Sequence, residues 1–333
     1  MKKILLALIA ASLLVPVADA AQPARKGKAA TQASRMAKPV VKPRSVVKQR
    51  TVVKSRSVKP VVQRARVTRV VAPQPLLEDP THLDVRSTAA LVIDRADGRT
   101  LYAKNVDAVV PIASITKLMT AMVVLDAQLD LREGIAISDE DIDTLKHTGS
   151  RLRIGTELER DELLRLALMA SENRAASALG RSYPGGIHAF VAAMNQKAMN
   201  LGMARTRFVD SSGLSSDNVS TAEDLAKMVT AAHRYPLIQE YTTSTGHAVR
   251  TGNGRMLAFR NTNGLVKDTA WHIDVSKTGY ISEAGRCVVM QARIASKPVI
   301  IVLLDSWGKY TRIADANRIK RWVESAQARH TPG

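Results

Sequence analysis

The amino-acid sequence predicts an α+β fold: an antiparallel sheet flanked by helices, with a helical subdomain. Three observations predict it. Strand-like runs gather near residues 89–103 and 273–304, helical periodicity fills the stretch between, and the turns within each strand group are short. Joining the two groups in one sheet brings residues near 114 and 277 together.

The elements follow in order. Ala89–Asp94 and Thr100–Ala103 flank Asp97-Gly98, a dipeptide that favours a tight hairpin turn. From Ser114 to Asp126, Leu118, Met119, Met122, Val123 and Leu125 give a helix with a broad apolar face. Glu159–Met169 reads as a second helix, followed by a break and a third from about Arg174 to Leu179. His188–Leu201 is helical and stops at Gly202, which tolerates the left-handed backbone of a helix end. Ser220-x-x-Glu223 has the spacing of a capping box and opens a helix to about His233. Ile273–Thr278, Cys287–Ile294 and Val299–Leu304 then read as strands, and a last helix runs from about Thr311 to Ala326.

A chain of 333 residues with 45% hydrophobic content buries a sizeable core. The net charge of +19 is a property of one segment. Residues 21–72 hold fifteen Lys and Arg and no acid, whereas residues 73–333 are nearly neutral. Aromatics make up only 4%, which argues against a base-stacking nucleic-acid surface. The lone cysteine excludes an internal disulfide, and Cys287 in the apolar run Cys287-Val288-Val289-Met290 reads as a buried structural thiol. The seven histidines are scattered with no pair at ligand spacing, so no metal or other cofactor is expected.

Residues 1–20 carry the marks of a secretory signal: Lys2-Lys3, the apolar stretch Ile4–Val17, and Ala18-Asp19-Ala20 for cleavage. The apolar stretch is shorter than the ~20 residues a membrane span needs, and Pro16 interrupts it. The mature protein is therefore expected in the periplasm or cell envelope, away from any physiological nucleic acid. Residues 21–76 form a basic, Pro- and Val-rich linker expected to be disordered. Val-Val-Lys recurs at 40–42, 46–48 and 52–54, and the even period puts the basic side chains on one side of an extended chain. Such a ribbon suits anionic envelope polymers, and equally suits a plain solvated spacer. Residues 77–330 make the main domain.

Three short motifs carry the chemistry. Ser114-Ile115-Thr116-Lys117 opens the first long helix, so Ser114 and Lys117 share a face. A lysine buried against that face loses hydration, its pKa falls, and it becomes a base for the serine. Free N–H groups at a helix start also suit an oxyanion. Ser171-Glu172-Asn173 falls at a helix break, where a hydroxyl relays a proton and an amide binds a carbonyl. Lys277-Thr278-Gly279 ends a strand and offers a charge, a hydroxyl for a carboxylate, and a gap for another backbone. Alone, each motif has a plain reading as a helix cap or a strand end. Together, in this order on helix, break and strand, they match the set of serine acyl-transfer enzymes that includes the penicillin-binding proteins.

The segment from about 77 to 330 resembles the low-molecular-weight penicillin-binding proteins, the D-alanyl-D-alanine carboxypeptidase/endopeptidase family, with their β-lactamase/transpeptidase-like fold. Ser171-Glu172-Asn173-Arg174-Ala175-Ala176 resembles the endopeptidase subgroup, and Phe208-Val209-Asp210-Ser211-Ser212-Gly213-Leu214 is also similar to the family. The resemblance implies that Ser114 attacks a D-alanyl carbonyl and that Lys117 takes its proton. Ser171 and Lys277 pass a proton to the leaving amine. Asn173, Thr278 and Gly279 position the substrate, and the N–H groups of Ser114 and Tyr280 hold the oxyanion. Peptidoglycan stem peptides are the implied substrate and β-lactams the implied inhibitors. A class A β-lactamase shares all three motifs but needs a carboxylate to activate the deacylating water. Between Asn173 and Ala222 there is no glutamate, only Asp210 and Asp217. A non-catalytic wall-binding protein is the remaining alternative, and the intact motifs argue against it.

Overall fold

A computed structural model describes residues 83–328 apart from Asn253. The expected signal peptide and basic linker lie outside the described residues. In chain order the elements are β1 (Ala89–Asp94), β2 (Thr100–Lys104), β3 (Val110–Pro111), α1 (Thr116–Asp126), β4 (Gly134–Ala136), β5 (Glu157–Glu159), α2 (Arg160–Met169), α3 (Asn173–Arg181), α4 (Gly186–Asn200), β6 (Val219–Ser220), α5 (Ala222–Ala232), α6 (Pro236–Thr243), β7 (Gly246–Arg250), β8 (Met256–Arg260), β9 (His272–Ile281), β10 (Gly285–Ile294), β11 (Lys297–Ser306) and α7 (Thr311–Ala328).

The N-terminal hairpin and the C-terminal strands form one antiparallel sheet in the order β2-β1-β11-β10-β9. The β11 strand pairs with both β1 and β10, so chain ends more than 200 residues apart meet in its register, with Ala89 opposite Leu304. Strand periodicity sorts the side chains into two layers. Ala89, Leu91, Val289, Val302 and Leu304 face a core shared with α1 to α5, while Ala90, Val92, Val288, Ile301 and Leu303 face α7 through Ala316, Ile319 and Val323. Each fully buried aliphatic side chain of this kind contributes about 1.5–3 kcal/mol. Asp315 of α7 locks the start of the domain by accepting the Arg86 and Ser87 N–H groups and the Ser87 hydroxyl.

The α1 helix is not amphipathic in place. Thr116 through Val124 are all buried, so α1 runs through the middle of the helical layer rather than along its surface. That placement takes Lys117 out of water. Ser114 itself lies just before α1, in a tight 3-10 turn over Ala113–Ile115. The break after α2 falls at Ser171, whose φ of 58° is left-handed, and α3 starts at Asn173.

Some expectations shift. Thr221, not Ser220, caps α5: its hydroxyl accepts the Asp224 N–H at 3.1 Å. Ser220 is committed to β6, pairing with Val110, and its hydroxyl meets Thr206. Gly202 does sit in the left-handed region just past α4, at φ 69°. The α6 helix, which starts on Pro236, and the β7–β8 hairpin were not foreseen. Cys287 is fully buried, its thiol donates to the Ala284 carbonyl at 3.3 Å, and burial raises its pKa to about 11, as suits an inert thiol.

Candidate active site

The turn that presents Ser114 is held between two glycines. Gly213 sits at φ +80°, and a Cβ there would lie 2.0 Å from the Ala113 carbonyl oxygen. A Cβ on Gly279 would lie 2.8 Å from the Ile112 oxygen and 3.2 Å from the Ser114 nitrogen. The turn therefore closes onto backbone on both sides, which only glycine permits. Ala113 takes a left-handed φ of 48° to fit. This is strain for a residue with a Cβ, and it sits next to the nucleophile candidate.

Lys117 is wholly buried, and its Nζ reaches three oxygens: Ser114 Oγ at 2.9 Å, Asn173 Oδ1 at 2.8 Å and the Ser212 carbonyl at 2.5 Å. Burial is the main cause that brings its pKa down to about 8, against the opposing pull of Asp210 and Glu172. A neutral amine keeps two N–H donors and gains a lone pair. Two of the three oxygens, Asn173 Oδ1 and the Ser212 carbonyl, are pure acceptors. They claim the two donors, which leaves the lone pair facing the Ser114 hydroxyl.

Lys277 is also buried, at the far wall. Its Nζ donates to Ser171 Oγ at 2.9 Å and to the Thr278 carbonyl at 2.8 Å. Burial first, then the charges of Lys117 and Arg312, hold its pKa well below that of a free lysine. Asn173 links the two sides. Its oxygen faces Lys117, so its amide nitrogen faces outward and donates to Thr148 Oγ1 at 3.0 Å. The Thr278 hydroxyl donates to Thr262 Oγ1 at 2.7 Å. Tyr280 is 58% exposed, with the Arg286 guanidinium 4.5 Å from its ring centre. The β9 strand is an edge of the sheet, so its outer backbone has no strand partner among the described residues.

All eight residues singled out in the sequence thus fall in one region, with Gly279 against the Ser114 turn and Tyr280 next to it on β9. A cavity of about 680 Å³ lined by Leu91, Ala226 and Ala231 contains none of them.

Sequence reasoning named the 208–214 segment by resemblance alone and gave no role to the residues that hold the set together. Asp210 Oδ1 accepts the N–H groups of Ser212 and Gly213 and the Ser212 hydroxyl, and Oδ2 accepts the Ser215 N–H. This carboxylate shapes the loop whose Ser212 carbonyl holds Lys117. Asn218 bridges that loop to α1 through Thr116 Oγ1 at 3.0 Å. The signal was present as Asp210-Ser211-Ser212-Gly213, a run of turn-forming residues. Arg312 adds a third positive charge near Lys277, and its Nε and Nη1 have no hydrogen-bond partner.

A family model described as D-alanyl-D-alanine carboxypeptidase, the S11 peptidase family, matches residues 75–308. The chain belongs to the S11 peptidases. It is 47% identical over 262 residues to the D-alanyl-D-alanine endopeptidase of Pseudomonas aeruginosa, covering 78% of this chain and 84% of that one. It is 46% identical over 250 residues to the D-alanyl-D-alanine endopeptidase of Escherichia coli K12, covering 75% and 81%. Among solved structures, the Streptomyces K15 DD-transpeptidase aligns with a TM-score of 0.67 at 28% identity, covering 72% of this S11 peptidase and 97% of that chain. Penicillin-binding protein D2 of Listeria monocytogenes, in its ampicillin-bound form, aligns with a TM-score of 0.62 at 31% identity, covering 73% and 99%. The fold is that of the penicillin-binding proteins, with the antiparallel sheet and helical layer expected from the sequence.

Proposed function

We propose that this S11 peptidase is an exported endopeptidase that cuts D-alanyl peptide bonds between crosslinked peptidoglycan stems, with Ser114 as nucleophile. The observation that carries the reading is the buried Lys117 amine in contact with Ser114, Asn173 and the Ser212 carbonyl. Neutral Lys117 takes the Ser114 proton as Oγ adds to the carbonyl carbon of a D-alanyl residue. The N–H groups of Ser114 and Tyr280 hold the resulting oxyanion. The carbon–nitrogen bond then breaks as the proton taken by Lys117 passes through the Ser171 hydroxyl, aligned by Lys277, to the leaving amine, which leaves Lys117 neutral and Ser171 protonated. Water cleaves the acyl-serine ester, with Lys117 again accepting a proton. Asn173 aligns the acyl side, while Lys277 and Thr278 offer hydrogen-bond donors on the leaving side and the nearby Arg312 makes it positive.

A leaving stem peptide, rather than free D-alanine, fits the edge position of β9 and the two endopeptidase relatives. Residues 1–20 direct export, and the basic linker tethers the enzyme to anionic envelope polymers or spaces it from them. β-Lactams acylate Ser114 and stay. Asp210 is occupied by the loop it shapes, and Asp217 lies 68% exposed beside Arg207, so neither carboxylate is placed to activate a deacylating water. Digestion of purified crosslinked and uncrosslinked muropeptides in parallel tests the proposal. Dimers should fall to monomers. Loss of terminal D-alanine from pentapeptide monomers with dimers untouched would make the enzyme a carboxypeptidase.

A further inference from the structure

One ion pair joins the loop that contacts Asn173 to the turn at the end of β9. Lys146 Nζ lies 2.5 Å from Glu283 Oε1, across 137 residues of sequence. Lys146 belongs to the loop between β4 and β5, and Glu283 to the turn between β9 and β10. Their side chains are 26% and 42% exposed. At that exposure an ion pair adds little to stability, because solvent screens it and it must hold two long, flexible side chains still. Stability alone is a weak reason for the pair.

Both partners are set firmly relative to the site. Asp143 accepts the N–H groups of Leu145, Lys146 and Thr148 and the Thr148 hydroxyl, which fixes the loop. Thr148 in turn accepts the Asn173 amide. Lys146 is therefore two residues from a direct contact of the amide proposed to align the acyl side. Glu283 is three residues beyond Tyr280, and its other oxygen accepts the Ser282 hydroxyl at 2.8 Å. At ~3.3 Å per residue, the turn lies roughly 10 Å along β9 from the proposed oxyanion position. It lies on the side away from Ser171 and Lys277, where the leaving amine is assigned. The pair is thus on the acyl side of the proposed site, toward which a substrate laid along β9 would extend the residue preceding the D-alanyl unit.

We propose that Lys146 and Glu283 form an acyl-side subsite for a free α-amino-acid zwitterion on the substrate. This rests on the peptidase reading above. A ligand with a single charge would satisfy one partner and strand the other. A carbon bearing both a carboxylate and an ammonium satisfies both: the carboxylate accepts from Lys146 Nζ, and the ammonium donates to Glu283. The pair exchanges one set of charge-assisted bonds for two, with no net charge brought into the site. Stem peptides built on a diamino dicarboxylic acid carry such a carbon at the end of that side chain. Stems built on lysine carry only an ammonium there.

The test is kcat/KM of the mature enzyme on two synthetic crosslinked peptides, each with a D-alanyl carbonyl joined to the side-chain amine of a second stem. They differ only in the residue preceding that D-alanyl unit, a diamino dicarboxylic acid with a free zwitterionic end or a lysine. Wild type should prefer the zwitterionic peptide by roughly tenfold or more, mainly through KM, as expected if one charge-assisted contact is worth about 1.4 kcal/mol. Lys146→Met and Glu283→Gln should each bring the ratio to within about twofold of one. The charge-exchanged double variant, Lys146→Glu with Glu283→Lys, should recover part of the preference. Acylation by benzylpenicillin, read in parallel, reports whether Ser114 and Lys117 remain assembled in each variant. Equal kcat/KM on the two peptides in wild type overturns the subsite. So does a variant that melts at lower temperature while keeping the wild-type ratio, because the pair is then only a staple between loop and sheet. Failure of wild type to cleave either peptide while still binding benzylpenicillin removes the peptidase reading itself, and the subsite with it.

Discussion

Acidification should starve Ser114 of its base. Lys117 has a pKa of about 8 in the fold, against 10.5 for the free side chain. At pH 7 roughly one Lys117 in ten is neutral, compared with about one in three thousand for an unperturbed lysine. Burial thus raises the working fraction of base by about 300-fold, close to 3 kcal/mol of the acylation barrier at that pH. The second-order rate of acylation by a β-lactam should fall about tenfold per unit below pH 8 and level off above about pH 9. Stopped-flow acylation with a chromogenic β-lactam from pH 6 to 10 measures this, with the β-lactam carboxylate ionised throughout. A profile flat from pH 6 to 8.5, or one still climbing beyond pH 10, would refute neutral Lys117 as the base.

The same shift predicts a stability effect of defined sign. Unfolded Lys117 holds its proton up to about pH 10.5 and folded Lys117 only to about 8, so its contribution to stability rises with pH across that window, by about 3 kcal/mol in full. The urea stability of wild type minus that of Lys117→Met, at pH 7.5 and pH 10, isolates the term, and a difference that shrinks or stays constant contradicts it. Gly213→Ala should cut acylation at least 100-fold while the fold survives, because the new Cβ collides with the Ala113 carbonyl and φ +80° disfavours alanine. Circular dichroism alongside acylation kinetics separates those two effects. Chromogenic β-lactam should give a burst of about one equivalent followed by slow turnover, since neither Asp210 nor Asp217, the carboxylates between Asn173 and Ala222, is placed to drive deacylation. Rapid turnover after the burst would restore the β-lactamase reading.

Much of this was legible in the sequence because local pattern and tertiary demand agree. The apolar runs Cys287–Ile294 and Val299–Leu304 predict the central strands, and the apolar spacing from Leu118 to Leu125 predicts α1. The three motifs were readable because each brings its own local context: a helix start, a helix break and a strand end. What failed depended on partners distant in sequence. The α6 helix is eight residues long, and β7 and β8 are five each, too short for periodicity to stand out. Ser220 carried a capping spacing, but its backbone was claimed by Val110 across the chain. The Asp210 loop was visible as turn residues, yet its purpose depends on where Lys117 points. The Lys146–Glu283 contact has no sequence signature, because nothing local to either residue encodes the other.

The central claim is that Ser114 becomes the acylated residue. Digestion with trypsin after incubation with benzylpenicillin releases the segment 105–117, which contains Ser114 and Thr116 as its only hydroxyl side chains. Tandem mass spectrometry should find a single penicilloyl adduct per chain, on Ser114, and none in Ser114→Ala despite a native circular dichroism spectrum. An adduct on any other residue, or equal labelling of the Ser114→Ala protein, would contradict the account.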